Sequence, residues 1–141
     1  MRHEITTTIA APAELVWRTI STVEKWPEWT PTMDEISRLD DGELRVGSTA
    51  RVRQPKQPER TWTVTELTPG RSFTWATTGP GLRLSADHVI VGEQDGKVEV
   101  LLTFEMSGIV APLANLLSGS MVRRLVDTEA ASLTKWCEQH R

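Results

Sequence analysis

The chain has 141 residues, a mass of 15.8 kDa and a formal net charge of −3, and area scaling predicts about 7,300 Å² of folded surface against about 22,900 Å² unfolded, enough for one core and one domain over residues 1–141. With 38% hydrophobic and 25% charged residues it is neither disordered nor fibrous, and its mild acidity argues against the wide phosphate contact that nucleic acid requires. Cys137 is the only cysteine, which excludes an intrachain disulfide and a Cys-based zinc site.

The start of the chain, Met1 to Thr8, lacks the apolar core of a secretory signal, and no stretch approaches the ~20 apolar residues of a membrane span. A cytoplasmic protein without stable membrane insertion is expected. His3 to Ile9 alternates as a half-buried strand, with Ile5, Thr7 and Ile9 on one side. Ala11-Pro12-Ala13-Glu14 then opens a helix with proline in its first turn and Leu15, Val16, Trp17 and Ile20 on its apolar side. A short second helix or turn is predicted over Val23 to Trp29.

Within it lies Trp26-Pro27-Glu28-Trp29-Thr30-Pro31, two indoles held beside two prolines. Proline fixes its own φ, offers no N–H and biases the preceding residue toward extended backbone, so the segment is a rigid aromatic elbow. It serves either as a gate at a pocket mouth or as a plug in the core. Met33 to Leu39 and Ser48 to Arg53 are the next predicted strands, joined around Asp40-Asp41-Gly42 and Gly47. Arg45, Arg51, Arg53, Lys56 and Arg60 gather in this region; a solvated face is the commoner reading of such a run, a binding patch the sharper one.

Thr61 to Leu67 and Ser72 to Thr77 form a predicted hairpin through Thr68-Pro69-Gly70-Arg71, which suits a type II turn. Gly79-Pro80-Gly81 breaks the chain, Leu82 to Val91 is a long strand, Asp95-Gly96 turns it, and Val98 to Met106 completes a meander. From Pro112 to His140 the period becomes helical. Leu113, Leu116, Leu117, Met121 and Leu125 recur at three- and four-residue steps, Val122, Val126, Leu133, Trp136 and Cys137 widen the stripe, and Arg123, Asp127, Thr134 and Glu138 face away. Gly119 inside this helix marks a kink, a close approach or simple tolerance.

Motifs for nucleotide binding, zinc proteolysis and α/β-hydrolase chemistry are absent, and there is no tyrosine to act as a general acid. Cys137 suits packing better than nucleophilic attack. His3 and His140 sit near the termini, where exposure is expected. His88 shares strand parity with Leu84, Ala86 and Ile90, so it faces the apolar side, either as a hydrogen-bonded core residue or as a proton carrier. It is the one catalytic candidate. Trp62 pairs with Val64, and Phe73 with Trp75, on single strand faces, giving either a filled core or a cavity walled by rings.

The order of these elements and motifs resembles the START-like, or SRPBCC, superfamily, in particular its polyketide cyclase/dehydrase and lipid-transport branch. The matching features are Ala11 to Trp17, the Trp26 to Trp29 elbow, Gly47, Pro69-Gly70-Arg71, Phe73 with Trp75, His88 and the long last helix. The resemblance implies an α+β helix-grip fold: a seven-stranded antiparallel sheet wrapped around the C-terminal helix, with two short helices after the first strand. It further implies a cavity for a lipid, polyketide, quinone or similar apolar ligand, walled by Trp26, Trp29, Val52, Trp62, Phe73, Trp75, Leu84, His88, Phe104, Leu117 and Met121. This set is poorer in tyrosine, serine and arginine than the pockets of aromatase/cyclase enzymes. A carrier or binding protein is the first expectation, a cyclase/dehydrase-type enzyme the alternative. No metal and no cofactor are expected, and the chain is either a monomer or a homodimer.

Overall fold

Alternation in Arg2–Ile9 sends His3, Ile5, Thr7 and Ile9 toward protein and leaves Arg2, Glu4, Thr6 and Thr8 in solvent, and in the computed structural model of residues 1–141 this segment is strand β1. Six further strands follow: β2 (Glu35–Arg38), β3 (Thr49–Arg53), β4 (Arg60–Thr68), β5 (Ser72–Gly79), β6 (Leu82–Gln94) and β7 (Lys97–Ser107). They pair antiparallel in the order β1-β7-β6-β5-β4-β3-β2. Helix α1 (Ala13–Ser21) and a 3₁₀ turn (Val23–Glu28) carry the chain from β1 at one edge to β2 at the other, and helix α2 (Ala111–His140) closes the fold. This is the helix-grip architecture that the family resemblance implied.

Turn chemistry explains the meander. Gly70 has φ 76° and the Arg71 N–H donates to the Thr68 carbonyl at 3.0 Å, closing the β4–β5 hairpin. Asp95 and Gly96 both have positive φ, 55° and 75°, which is the type I′ geometry that matches strand twist. The register shifts between Val64 and Glu66 and between Ile90 and Gly92, and these bulges bend β4 and β6 so that the sheet curves. Pro12 sits one position earlier than expected: it precedes α1 in extended backbone, and its carbonyl accepts from the Val16 N–H at 3.1 Å.

The helix that fills the curve is read differently in space than by simple counting of apolar residues. Its buried positions are Ala111, Gly119, Val122, Val126, Ala130, Leu133 and Cys137, a single stripe at three- and four-residue steps once half-buried Asn115 is counted between the first two. Leu113, Leu116 and Leu117, expected in the core, are 55%, 80% and 76% exposed. They lie on the opposite face at 100° per residue, so the first three turns of α2 turn small residues inward and large apolar ones outward. α2 runs unbroken past Gly119, where a side chain would collide with Asn115; Arg123 donates to Asn115 Oδ1 at 3.2 Å across the gap. Gly119 therefore marks no kink, and the atoms a side chain there would meet are the movable ends of Asn115 and Arg123 on the same helix.

Residues expected to face away instead dock α2 onto the edge strand. Thr134 and Thr7 share a hydroxyl hydrogen bond of 2.6 Å, Asp127 accepts from His3 at 2.7 Å, and Glu138 accepts from the Ala10 N–H at 2.8 Å. His3 is thus paired, not loosely exposed. Cys137 packs between α1 and α2, its thiol 3.6 Å from Thr19 Oγ1, and burial raises its pKa, which keeps it a protonated packing group. Around the β2–β3 connection Asp40 accepts from Arg38 at 3.0 Å, from Ser48 at 2.9 Å and from the Thr49 N–H at 3.1 Å, and the Arg38 hydrogen bond leads in pulling its pKa to about 2.

Candidate functional site

Strand parity and the α2 stripe converge on one internal cavity. Val52, Trp62 and Trp75 contribute from β3, β4 and β5, Leu84, Ala86 and His88 from β6, and Phe104 from β7. Val122, Leu125, Val126 and Glu129 close it from α2, and Trp26 enters from the elbow. The remaining lining is polar or flexible: Thr32 and Met33 after the elbow, Gln54 and Gln57 from the β3–β4 loop, and Arg60 at the start of β4.

Of the wall residues expected from the resemblance, Trp26, Val52, Trp62, Trp75, Leu84, His88 and Phe104 line this cavity. The other expected wall residues lie elsewhere. Phe73 sits behind His88, stacked on it at 4.3 Å with a 17° tilt. Trp29 lines a separate groove near Trp136 and His140. Leu117 points into solvent and Met121 is half-buried on the flank of α2, because the helix stripe passes through Gly119 and Val122.

The elbow resolves into two roles. Trp26 is 1% exposed, donates its indole N–H to the Ile20 carbonyl at 3.1 Å, and meets Trp75 edge-on at 5.3 Å and His88 at 5.2 Å. It is a structural wedge whose face forms cavity wall. Rings occupy most of the space: Trp62 lies 5.6 Å from Trp75 and 6.5 Å from Phe104. The open volume is about 60 Å³, enough for a few waters but below the roughly 300 Å³ where pockets for drug-sized ligands begin.

Four polar groups give the cavity its chemistry. The His88 ring is 3% exposed, and its Nδ1–H donates to the Phe73 carbonyl at 3.2 Å, which leaves Nε2 as a lone-pair acceptor. Burial lowers its pKa to about 4, so the imidazole is neutral near pH 7. Burial also pushes the Glu129 carboxyl up to about 7. Glu129 is half-buried and lines the cavity, and burial is the cause of its shift. Gln57 Nε2 and Arg60 Nε are buried donors that no protein acceptor reaches, and Arg60 forms no ion pair. Its neighbours in the basic run behave otherwise: Arg45, Arg51 and Arg53 pair in solvent with Asp40, Glu59 and Glu35.

Sequence reasoning passed over Glu129, Gln54 and Gln57, and took Arg60 only as part of a basic run. Two of these had a signal: Glu129 falls on the same stripe as Val126 and Leu133, and Arg60 shares parity with Trp62 and Val64. The two glutamines sit in a loop without periodicity.

The sequence model of the family described as polyketide cyclase/dehydrase and lipid transport matches residues 2–138. No curated protein matches the chain in sequence. Among solved structures it is similar to the Zhui aromatase/cyclase from Streptomyces sp. R1128, with TM-score 0.81 and 20% identity over 99% of this chain and 94% of that one. It is also similar to a START superfamily protein from Mycobacterium smegmatis, with TM-score 0.75 and 17% identity over 99% of both chains. A hypothetical protein from Helicobacter pylori aligns with TM-score 0.78 and 12% identity over 96% of this chain and 86% of that one. At these identities the structural likeness establishes the fold.

Proposed function

This chain belongs to the polyketide cyclase/dehydrase and lipid-transport family, and from that premise we propose that it binds a small, mainly apolar molecule carrying at least one hydrogen-bond acceptor in the cavity between sheet and α2. The observation that carries this reading is a ring-walled cavity in which two buried donors, Gln57 Nε2 and Arg60 Nε, lack protein acceptors. A buried donor without a partner costs about 1–3 kcal/mol, and a ligand oxygen would remove that cost. The apolar body of the ligand would lie along Trp62, Trp75 and Phe104. With about 60 Å³ open, any ligand larger than a few atoms binds by displacing side chains; the β3–β4 loop, where Lys56, Pro58 and Glu59 are exposed, is the least enclosed part of the wall.

One test is a thermal-shift and tryptophan-fluorescence panel of quinones, fatty acids and polyketide-like aromatics. A binder should raise the melting temperature by RT ln(1 + [L]/Kd) and quench indole emission; no response across the panel, together with a crystal structure whose rings stay closed at high ligand concentration, would reject the reading.

A second reading, catalysis in the same cavity, is favoured by one observation. His88 and Glu129 line the cavity with pKa values moved in opposite directions, to about 4 and about 7, so near neutral pH a free imidazole acceptor and a readily protonated carboxyl coexist there. Groups arranged this way suit proton removal by His88 Nε2 and proton delivery by Glu129 to a chain folded by the cavity. Unchanged turnover of a polyketone substrate in both His88→Ala and Glu129→Gln would reject it.

A further inference from the structure

One end of the molecule is built with inverted polarity. The first three turns of α2 bury Ala111 and Gly119 and expose Leu113, Leu116 and Leu117 at 55%, 80% and 76%, and the residues just before the helix, Ile109 and Val110, are 91% and 37% exposed. At 100° per residue Leu113, Leu116 and Leu117 form one stripe on the outer face, and Ile109 and Val110 lie in the turn just before it. The tip is rigid: the Val110 N–H donates to the Gly81 carbonyl at 2.9 Å, and Gly108, at φ 103°, lets the β7–α2 junction press against the β5–β6 turn. Solvent-facing leucines held this way are a fixed apolar surface.

Charge selects what covers it. The β5–β6 turn with its flanks (residues 77–85) and the β7–α2 junction with the first turns of α2 (residues 106–126) contain no Asp or Glu but carry Arg83, Arg123 and Arg124, in a chain whose net charge is −3. Carboxylates on the neighbouring segments are engaged: Glu105 by Arg2 at 3.0 Å, Glu59 by Arg51 at 3.8 Å and Glu35 by Arg53 at 2.7 Å, while Asp127 accepts a hydrogen bond from His3 at 2.7 Å. Along α2 the outer stripe turns polar at Ser120 and basic at Arg124, roughly 10 Å above Leu117 at 1.5 Å per residue. That separation suits entry of the helix tip end-on, with the leucines about 5–10 Å deep, the depth interfacial apolar side chains reach, and the arginine at headgroup level. A second copy meeting the same face would bring like charges together, which disfavours an isologous dimer.

We infer that this tip docks peripherally on an anionic lipid surface, through Ile109, Leu113, Leu116 and Leu117 with Arg83 and Arg124. No helix of the chain is long and apolar enough to cross a membrane, so the contact is interfacial. Val122 and Leu125, one to two turns along α2 from the tip, line the cavity, so docking places the cavity's helical wall next to the lipid.

Vesicle flotation tests this, with phosphatidylcholine alone and phosphatidylcholine mixed with phosphatidylglycerol, at low and high salt. The chain should float with the anionic vesicles, with affinity reduced about tenfold or more by high salt, by Leu116→Asp with Leu117→Asp, and by Arg83→Gln with Arg124→Gln. All these side chains are exposed, so melting temperatures should hold and mark the variants as folded. Absence of flotation with anionic vesicles, equal binding to phosphatidylcholine alone, or wild-type binding by the leucine variant would each overturn the inference. So would a concentration-dependent dimer in sedimentation equilibrium that the leucine variant abolishes, since that assigns the face to a second copy. None of these readouts requires a ligand in the cavity, so the docking surface and the cavity stand or fall separately.

Discussion

The Nδ1–H of His88 donates to the carbonyl oxygen of Phe73 at 3.2 Å while the two rings stack at 4.3 Å. The hydrogen bond fixes the tautomer and the stack fixes the ring plane, so a single lone-pair acceptor, Nε2, is left on the residue that lines the cavity.

Stability should report the opposed titrations of His88 and Glu129. The folded pKa of His88 is depressed from 6.5 to about 4; the unfolded chain takes up the proton first, so this contribution to stability is lost as pH falls from about 6.5 to about 4. The folded pKa of Glu129 is raised from 4.5 to about 7; its contribution is present below about 4.5 and lost as pH rises to about 7. The two slopes offset each other between about 4.5 and 6.5. Glu129→Gln should remove the offset and be about 2–3 kcal/mol more stable than the parent at pH 8. Urea unfolding at pH 5, 6.5 and 8 checks this, and a variant with the parent's pH dependence contradicts it.

The two elbow tryptophans should separate energetically. Trp26 is enclosed and hydrogen-bonded to Ile20, so Trp26→Ala should cost about 3–5 kcal/mol. Trp29 is only half-buried, with an indole N–H that has no partner, and Trp29→Ala should cost about 1–2 kcal/mol. Equal losses in denaturant titrations would show that both act as wedges.

Arg60 should behave as a binding residue and not as a structural one. Arg60→Met removes the buried, unpartnered Nε of a half-buried residue and keeps the aliphatic packing, so the free protein should gain up to about 1 kcal/mol. Affinity for a ligand found in the panel should fall about tenfold or more. Calorimetry on the variant measures both; a destabilised protein with unchanged affinity would reverse the assignment.

The β meander was legible because its punctuation is local. Pro69-Gly70 and Asp95-Gly96 can adopt few turns, and alternation then sets which face of each strand is inside. The start of α2 was misread because Leu113, Leu116 and Leu117 keep helical spacing, yet periodicity reveals a stripe without saying which stripe faces the sheet. Ala111, Asn115 and Gly119 continue the buried line of Val122, Val126 and Leu133, and only the register of the later turns decides between the two. Glu129 was missed for the opposite reason, a charge on an apolar stripe that the pattern tends to count as surface. Packing gives that position its meaning.

The central claim, that the cavity between sheet and α2 holds a small ligand, is tested most directly by native mass spectrometry of protein purified from its own host, beside the cavity-filling variant Ala86→Leu. The account predicts a one-to-one small-molecule adduct on the parent chain that is lost from a folded Ala86→Leu. An adduct retained undiminished by the variant, or none on either protein, would contradict it.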